Sequence, residues 1–247
     1  MVRSLQPDII IDNRLEVSGS GFGSIATDEP LEYSGDYVSP EQIIPQTGFK
    51  DSRGRNICWE ACITMNDNWG YCAKDKNFKP AEMIIKKLVE CVSKNGNMML
   101  NVGLRADGSL PETFRDELVK IGNWLKLNGE AIYDTRPFKV YGEGTFNMNV
   151  ASGKKQYADY LYKFTAKDIR FTTKKNVIYI FTLDWPGNGE TLKVQKLNNQ
   201  ELKNIQSISF LASGEKVKWT QDESGLYITT PAAPVGEYAY AFKVTMQ

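Results

Sequence analysis

Across residues 58–137 short apolar runs alternate with segments of helical period, and that alternation restricts the chain to few folds. Residues 58–64 form an apolar run of strand length. Pro80 follows where a first helical turn accepts a proline, and Met83, Ile84, Leu88 and Cys91 recur at helical spacing towards a Gly96 stop. Residues 97–103, NMMLNVG, read as a short buried strand. Residues 110–128 read as a second amphipathic helix, with Leu118, Ile121 and Leu125 on one face and Gly129 as its cap. Strand, helix, strand, helix is the signature of a parallel barrel or an open parallel sheet.

The flanks differ from this segment. Residues 6–12, QPDIIID, are an apolar run behind a proline and predict a buried parallel strand. No period persists over residues 13–57, where glycines and prolines recur, and a long functional loop is expected. Beyond Pro137 the chain turns β-rich: residues 177–183, 191–197, 205–211, 216–219, 225–230 and 238–246 are short runs between Gly, Pro and Asn turns. Several alternate apolar with polar, as an antiparallel sandwich does. The expected fold class is α/β plus all-β, with domains at residues 1–137 and 138–247.

Composition narrows the chemistry. Thirty Lys and Arg balance 30 Asp and Glu, so no charge surplus points to nucleic acid or an anionic membrane, and a neutral sugar is an acceptable partner. No stretch approaches the roughly 20 apolar residues of a membrane helix. Residues 1–7 lack the core of a signal peptide, which makes a cytoplasmic location the default while leaving an upstream leader open. Cys58, Cys62, Cys72 and Cys91 are spaced poorly for zinc and are expected as reduced structural thiols; no metal and no cofactor is expected. The chain contains no histidine, which removes Ser/His/Asp triads, Cys/His dyads and His-ligated metals. Carboxylates must carry most of any catalysis.

Several segments together carry a family resemblance: LQPDIIIDNR near the start, Trp59-Glu60, the Asn68-Trp69-Gly70-Tyr71 turn, LNVG followed by Asp107-Gly108, and GNWLKLNGEAIYDTRP. FTLDWPGNG, VKWTQDESGL and AYAFKV extend it towards the C-terminus. The chain resembles the retaining α-L-fucosidases, and departs from them at Leu104, where that family usually places a proline. The resemblance implies the closing part of a (β/α)8 TIM-like barrel followed by a β-sandwich that buttresses it. It also implies a fucosylated glycan as substrate. In that family the nucleophilic aspartate ends the strand before the one matched by IIIDNR, and the sugar-holding histidines also lie upstream. The barrel is therefore expected to be incomplete, with an upstream polypeptide or self-association covering its open edges. A carbohydrate-binding or structural remnant without turnover is the alternative.

Retaining glycosidases use two carboxyl groups roughly 5 to 5.5 Å apart. The resemblance points to Glu41, in GDYVSPEQIIP, as general acid/base, with Glu29 and Glu32 as rivals on the same loop. It places Arg14 near the substrate, against the simpler reading of a strand-end ion pair. Trp59 and Trp69 are candidate sugar-stacking surfaces, with core packing as the alternative for Trp59. Glu60 is expected to bond a sugar hydroxyl or to pair with Arg14, and Asn101 to support the residues that touch substrate.

Overall fold

The computed structural model describes residues 2–15, 35–51, 53–144 and 163–247. A single-turn helix α1 (Val2–Leu5) leads into the chain, and two strands of two residues each, β1 (Phe49–Lys50) and β2 (Asn56–Ile57), pair antiparallel. β3 (Trp59–Thr64) runs to α2 (Ala81–Ser93), which returns to β4 (Gly96–Asn101), parallel to β3 in a register that pairs Trp59 with Gly96 and Thr64 with Asn101. α3 (Glu112–Asn128) completes the second unit.

Each turning point has a local cause. Pro80 and Pro111 sit just before α2 and α3 in extended geometry, with Glu82 and Glu112 in the first turns, where the helix dipole favours negative charge. α2 buries Ala81, Ile84, Ile85 and Val89 along one stripe. It ends ahead of Asn95, whose left-handed φ of 68° turns the chain into β4. Gly96 then lies beneath the Trp59 indole, since a Cβ there would come within 2.3 Å of the ring. The glycine thus permits a close approach in the first residue of the strand, and the helix has already stopped.

Residues 36–42 extend the sheet beyond β3. Val38 bridges Trp59 and Glu41 bridges Cys62, both parallel, and the amides of Glu60 and Cys62 donate to the carbonyls of Val38 and Pro40. This ladder lies inside the segment expected to be a loop; its Gly-Asp and Ser-Pro pairs hide the strand period. Conversely, the strand expected over residues 6–12 is reduced to a single bridge, Asp12 to Tyr37, and Ile10 is 73% exposed. Its backbone finds a partner on one side only among the described residues, so the apolar run stays at an edge. β4 is likewise an edge, which leaves Met99 46% exposed where a buried strand was expected. Among the described residues the parallel segments form an open sheet, not a closed barrel.

The second half is antiparallel. β5 (Arg136–Glu143), β6 (Ile169–Lys174), β7 (Val177–Thr182), β8 (Thr191–Val194), β9 (Ile205–Phe210), β10 (Trp219–Asp222), β11 (Gly225–Thr229) and β12 (Tyr240–Met246) make a five-stranded sheet, β5-β6-β7-β12-β9, and a three-stranded sheet, β10-β11-β8. Phe171, Ile180, Phe210 and Phe242 from the larger sheet pack with Leu192, Leu226 and Ile228 from the smaller. The other face of the larger sheet packs on the helices: Tyr179 and Phe181 join the core of α2 and α3, and Trp124 stacks on Phe181 at 6.5 Å. Burial on both faces explains why VIYIFT reads as continuously apolar.

A buried ion cluster ties the two halves. Glu90 of α2, 1% exposed, accepts from Arg170 of β6 and from Lys94, and both cations lie over the Tyr141 ring, at 5.5 and 5.1 Å. Burial pushes the Lys94 ammonium down, and Glu90 opposes that shift.

Candidate functional site

Glu41 closes the ladder of residues 36–42, and the next residue, Gln42, takes a left-handed φ of 58° that turns the chain away. A non-glycine residue in that region costs about 1 kcal/mol or more. The Glu41 carboxylate is held from both sides: the Trp69 indole N–H donates to Oε1 at 2.9 Å, and Arg14 Nη1 lies 3.3 Å from Oε2. Arg14 is itself fixed, donating from Nε and Nη2 to the Ser39 carbonyl at 3.1 and 2.8 Å. Its backbone N–H donates to Asp12, and Asn13 accepts from the Ser39 amide.

Trp69 is carried by the turn after β3. Asp75 gathers that turn, accepting from the amides of Asp67 and Asn77 and from the Asn68 side chain. Burial raises the Asp75 carboxyl, but these hydrogen bonds outweigh it and hold the group below its ordinary value. Asn101, at the end of β4, donates to the Trp69 carbonyl at 2.7 Å. Gly103 lets this strand end pass close to Gly70 and Tyr71, whose backbone a Cβ would meet at 2.8 Å.

Trp69 remains 41% exposed, and Glu41 and Arg14 are about half exposed. A cavity of about 360 Å³ opens beside them, lined by Glu41, Gln42, Thr64, Asn66, Asp67, Trp69 and Lys79. The cluster therefore offers a carboxylate with fixed orientation, a cation, and an accessible flat ring, all at the carboxyl ends of parallel strands. That is the end where parallel α/β sheets bind ligands.

Sequence reasoning grouped Trp59 and Glu60 with these residues, and the structure separates them. Both occupy the start of β3, four and five residues before Thr64 and so roughly 13 to 17 Å along the strand at 3.3 Å per residue. Trp59 is fully buried, donates to the Lys94 carbonyl at 2.9 Å and packs edge-on against Phe49, so it offers no face to a sugar. Glu60 lines a different cavity of about 680 Å³, with Tyr37, Asp36, Ile9 and Asn97. Burial and the Asp12 charge raise its carboxyl. Glu60 does not pair with Arg14. This cavity is the larger, and the Arg3 guanidinium and the Ile11 amide hold its Asp36 carboxylate, but it lies at the start of β3, away from the strand ends where Glu41, Arg14 and Trp69 meet. Glu29 and Glu32 lie outside the described residues. Among the described residues no group of His, Cys, Asp and Glu could hold a metal ion, and the four cysteines are free.

Gln42, Thr64, Asn66 and Lys79 escaped sequence reasoning. Lys79 stands directly before the proline that opens α2, yet it is buried and donates to Thr64 and the Asn66 carbonyl. A lysine at a helix entrance ordinarily points to solvent, and only the fold shows that this one does not.

A sequence model described as alpha-L-fucosidase matches residues 2–130, more than half of the chain. The chain belongs to the α-L-fucosidase family. A second model, the alpha-L-fucosidase C-terminal domain, matches residues 163–245. The tissue alpha-L-fucosidase of Rattus norvegicus is 31% identical over 196 residues, covering 76% of this chain and 37% of its own length. Among solved structures, alpha-L-fucosidase isoenzyme 1 from Paenibacillus thiaminolyticus superposes with a TM-score of 0.77 at 32% identity, covering all of this chain and 52% of that one. An alpha-L-fucosidase of Bacteroides thetaiotaomicron, solved as a trapped covalent intermediate with 2-fluoro-fucosyl fluoride in a glutamate-to-glutamine mutant, superposes at 0.72 with 25% identity over 51% of its chain. This fucosidase-family chain thus spans about half of those solved structures and little more than a third of the rat enzyme.

Proposed function

We propose that this chain forms the trailing part of a retaining α-L-fucosidase, with residues 1–137 as the closing units of a (β/α)8 barrel and residues 138–247 as its buttressing sandwich. The observation that carries the proposal is the Glu41 carboxylate, bracketed by the Trp69 indole and the Arg14 guanidinium at the strand ends of a fucosidase-family chain. Glu41 serves as general acid, giving its proton to the glycosidic oxygen as the bond to the fucosyl carbon breaks. It then serves as general base towards the water that releases fucose. Trp69 orients the carboxylate through its N–H while its exposed ring presents a flat surface to the sugar or its aglycone. Arg14 balances the charge on Glu41 and can donate to a substrate oxygen.

The nucleophile that retention requires is an aspartate from the part of the family's chain that this sequence does not span. The open edges at Ile10 and β4 are where leading βα units would pair, supplied by an upstream polypeptide, with self-association as the competing cover. The substrate is a terminal α-L-fucoside of a glycan or glycoconjugate. Support for that class comes from the Bacteroides enzyme, trapped with a fucosyl reagent.

The test is hydrolysis of an aryl α-L-fucoside by the chain alone and by the chain co-produced with a polypeptide carrying the leading βα units. Turnover that appears only in the co-produced assembly, and that Glu41→Gln abolishes, is the expected result. Assembly without turnover would support a binding or structural remnant instead.

A further inference from the structure

Glu41 and Gln42 are adjacent, and in a regular strand their side chains would point to opposite faces. Both nevertheless line the same 360 Å³ cavity. The left-handed backbone of Gln42 makes this happen, and three groups hold it there. The Gln42 amide N–H donates to the Cys62 carbonyl at 2.8 Å. Its side-chain Nε2 donates to Thr64 Oγ1 at 2.8 Å, and the Thr64 amide faces Gln42 Oε1 at 3.4 Å. Lys79 Nζ backs the clamp, donating to Thr64 Oγ1 at 3.3 Å and to the Asn66 carbonyl at 2.9 Å, while the Thr64 hydroxyl donates to that same carbonyl.

We propose that Gln42 is the positioning residue for Glu41. Its carboxamide, locked on the buried Thr64–Lys79 pair, fixes the 41–42 peptide so that the Glu41 carboxylate meets Trp69 and Arg14. The residue type follows from the bonding. Thr64 Oγ1 gives its hydrogen to Asn66 and takes one from Lys79, so its remaining lone pair needs a donor, which a carboxamide supplies and a carboxylate does not. The chain length follows too, because asparagine would fall one methylene short. The proposal rests on Glu41 being the acid/base of the site, but its geometry can be tested without turnover.

The readout is the Trp69 indole N–H, whose partner is Glu41. In a ¹⁵N spectrum of the full chain the signal is assigned by its loss in Trp69→Phe. Glu41→Gln gives the signal when the charged partner is gone. Trp59 and Trp124, whose indoles donate to the Lys94 and Ala239 carbonyls, act as internal references. Gln42→Ala and, independently, Thr64→Val are expected to shift the Trp69 signal towards its Glu41→Gln position. Its hydrogen exchange should quicken about tenfold, with the two reference indoles unchanged. An unmoved Trp69 signal in both variants overturns the proposal, as does a uniform acceleration of all three indoles, which would make Gln42 a fold-stabilising residue only. Absence of fucoside hydrolysis would count against the catalytic reading alone and leave this outcome legible.

Discussion

The two halves of this molecule solve the same packing problem to different degrees. In the antiparallel half, β7 and β12 are interior strands buried on both faces, and Phe181 and Phe242 lie wholly inside. In the parallel half, β3 is covered, but the sheet runs out on one side at Ile10 and on the other at Met99, both exposed. The candidate site belongs to the less finished half. Glu41, Trp69 and Arg14 stand where strands end, and their orientation comes from hydrogen bonds among turns and strand ends; the larger sheet of the sandwich packs behind the helices.

The contrast fixes what substitutions should do. Phe242→Ala in the sandwich core is expected to cost about 3–5 kcal/mol in urea unfolding, the range for deleting a fully buried ring. Glu90→Gln should cost nearly as much, about 3 kcal/mol, because it strips the carboxylate from between two buried cations and loosens the seam between the halves. If this substitution were neutral, the buried cluster would add nothing to the seam, which apolar packing and hydrogen bonds such as Trp124 to Ala239 and Thr172 to Ala131 would hold. Ile10→Ser, on the open edge, should change stability by less than about 0.5 kcal/mol in the chain alone.

Two chemical probes sharpen the same comparison. Exposed Cys58 should react rapidly with a thiol reagent at neutral pH, whereas Cys91, whose thiol burial pushes up to about 12, should react only after unfolding. The smallest effect is expected at Glu60. Burial and Asp12 raise its folded-state value, so the folded chain holds that proton more tightly than the unfolded chain, and stability falls as pH rises through the interval between the two values. Glu60→Gln should therefore raise the melting temperature slightly at neutral pH and flatten its pH dependence across that interval. A lowered melting temperature would mean that the Glu60 charge is favourably partnered.

Legibility in the sequence followed periodicity. The helical spacing of Met83, Ile84, Leu88 and Cys91 announces α2, and the runs around Ile180 and Phe242 announce sandwich strands, because apolar residues there repeat at a regular interval. Residues 36–42 carry no such repeat. They join the sheet through backbone bonds to β3, which glycine and proline do not reveal in one dimension. The apolar run at Ile9 to Ile11 misled for the complementary reason, since it has strand composition but a partner on one side only. At the site, the family resemblance pointed to Glu41 and Arg14 and a Gly- and Asn-rich turn to Trp69, and the structure brings these three together, whereas Trp59 looked equally aromatic and is fully buried under its neighbours. Gln42 was unreadable, because its role depends on a positive φ that nothing about glutamine favours.

The most direct measurement is the leaving-group dependence of Glu41→Gln in the assembly completed by leading βα units. A general acid matters most when the departing oxygen is strongly basic. The variant should therefore lose about 10² to 10⁴-fold on an alkyl α-L-fucoside and far less on a dinitrophenyl α-L-fucoside. Equal losses on both substrates, or undiminished hydrolysis of the alkyl fucoside, would contradict the assignment of Glu41 as the acid/base held by Trp69 and Arg14.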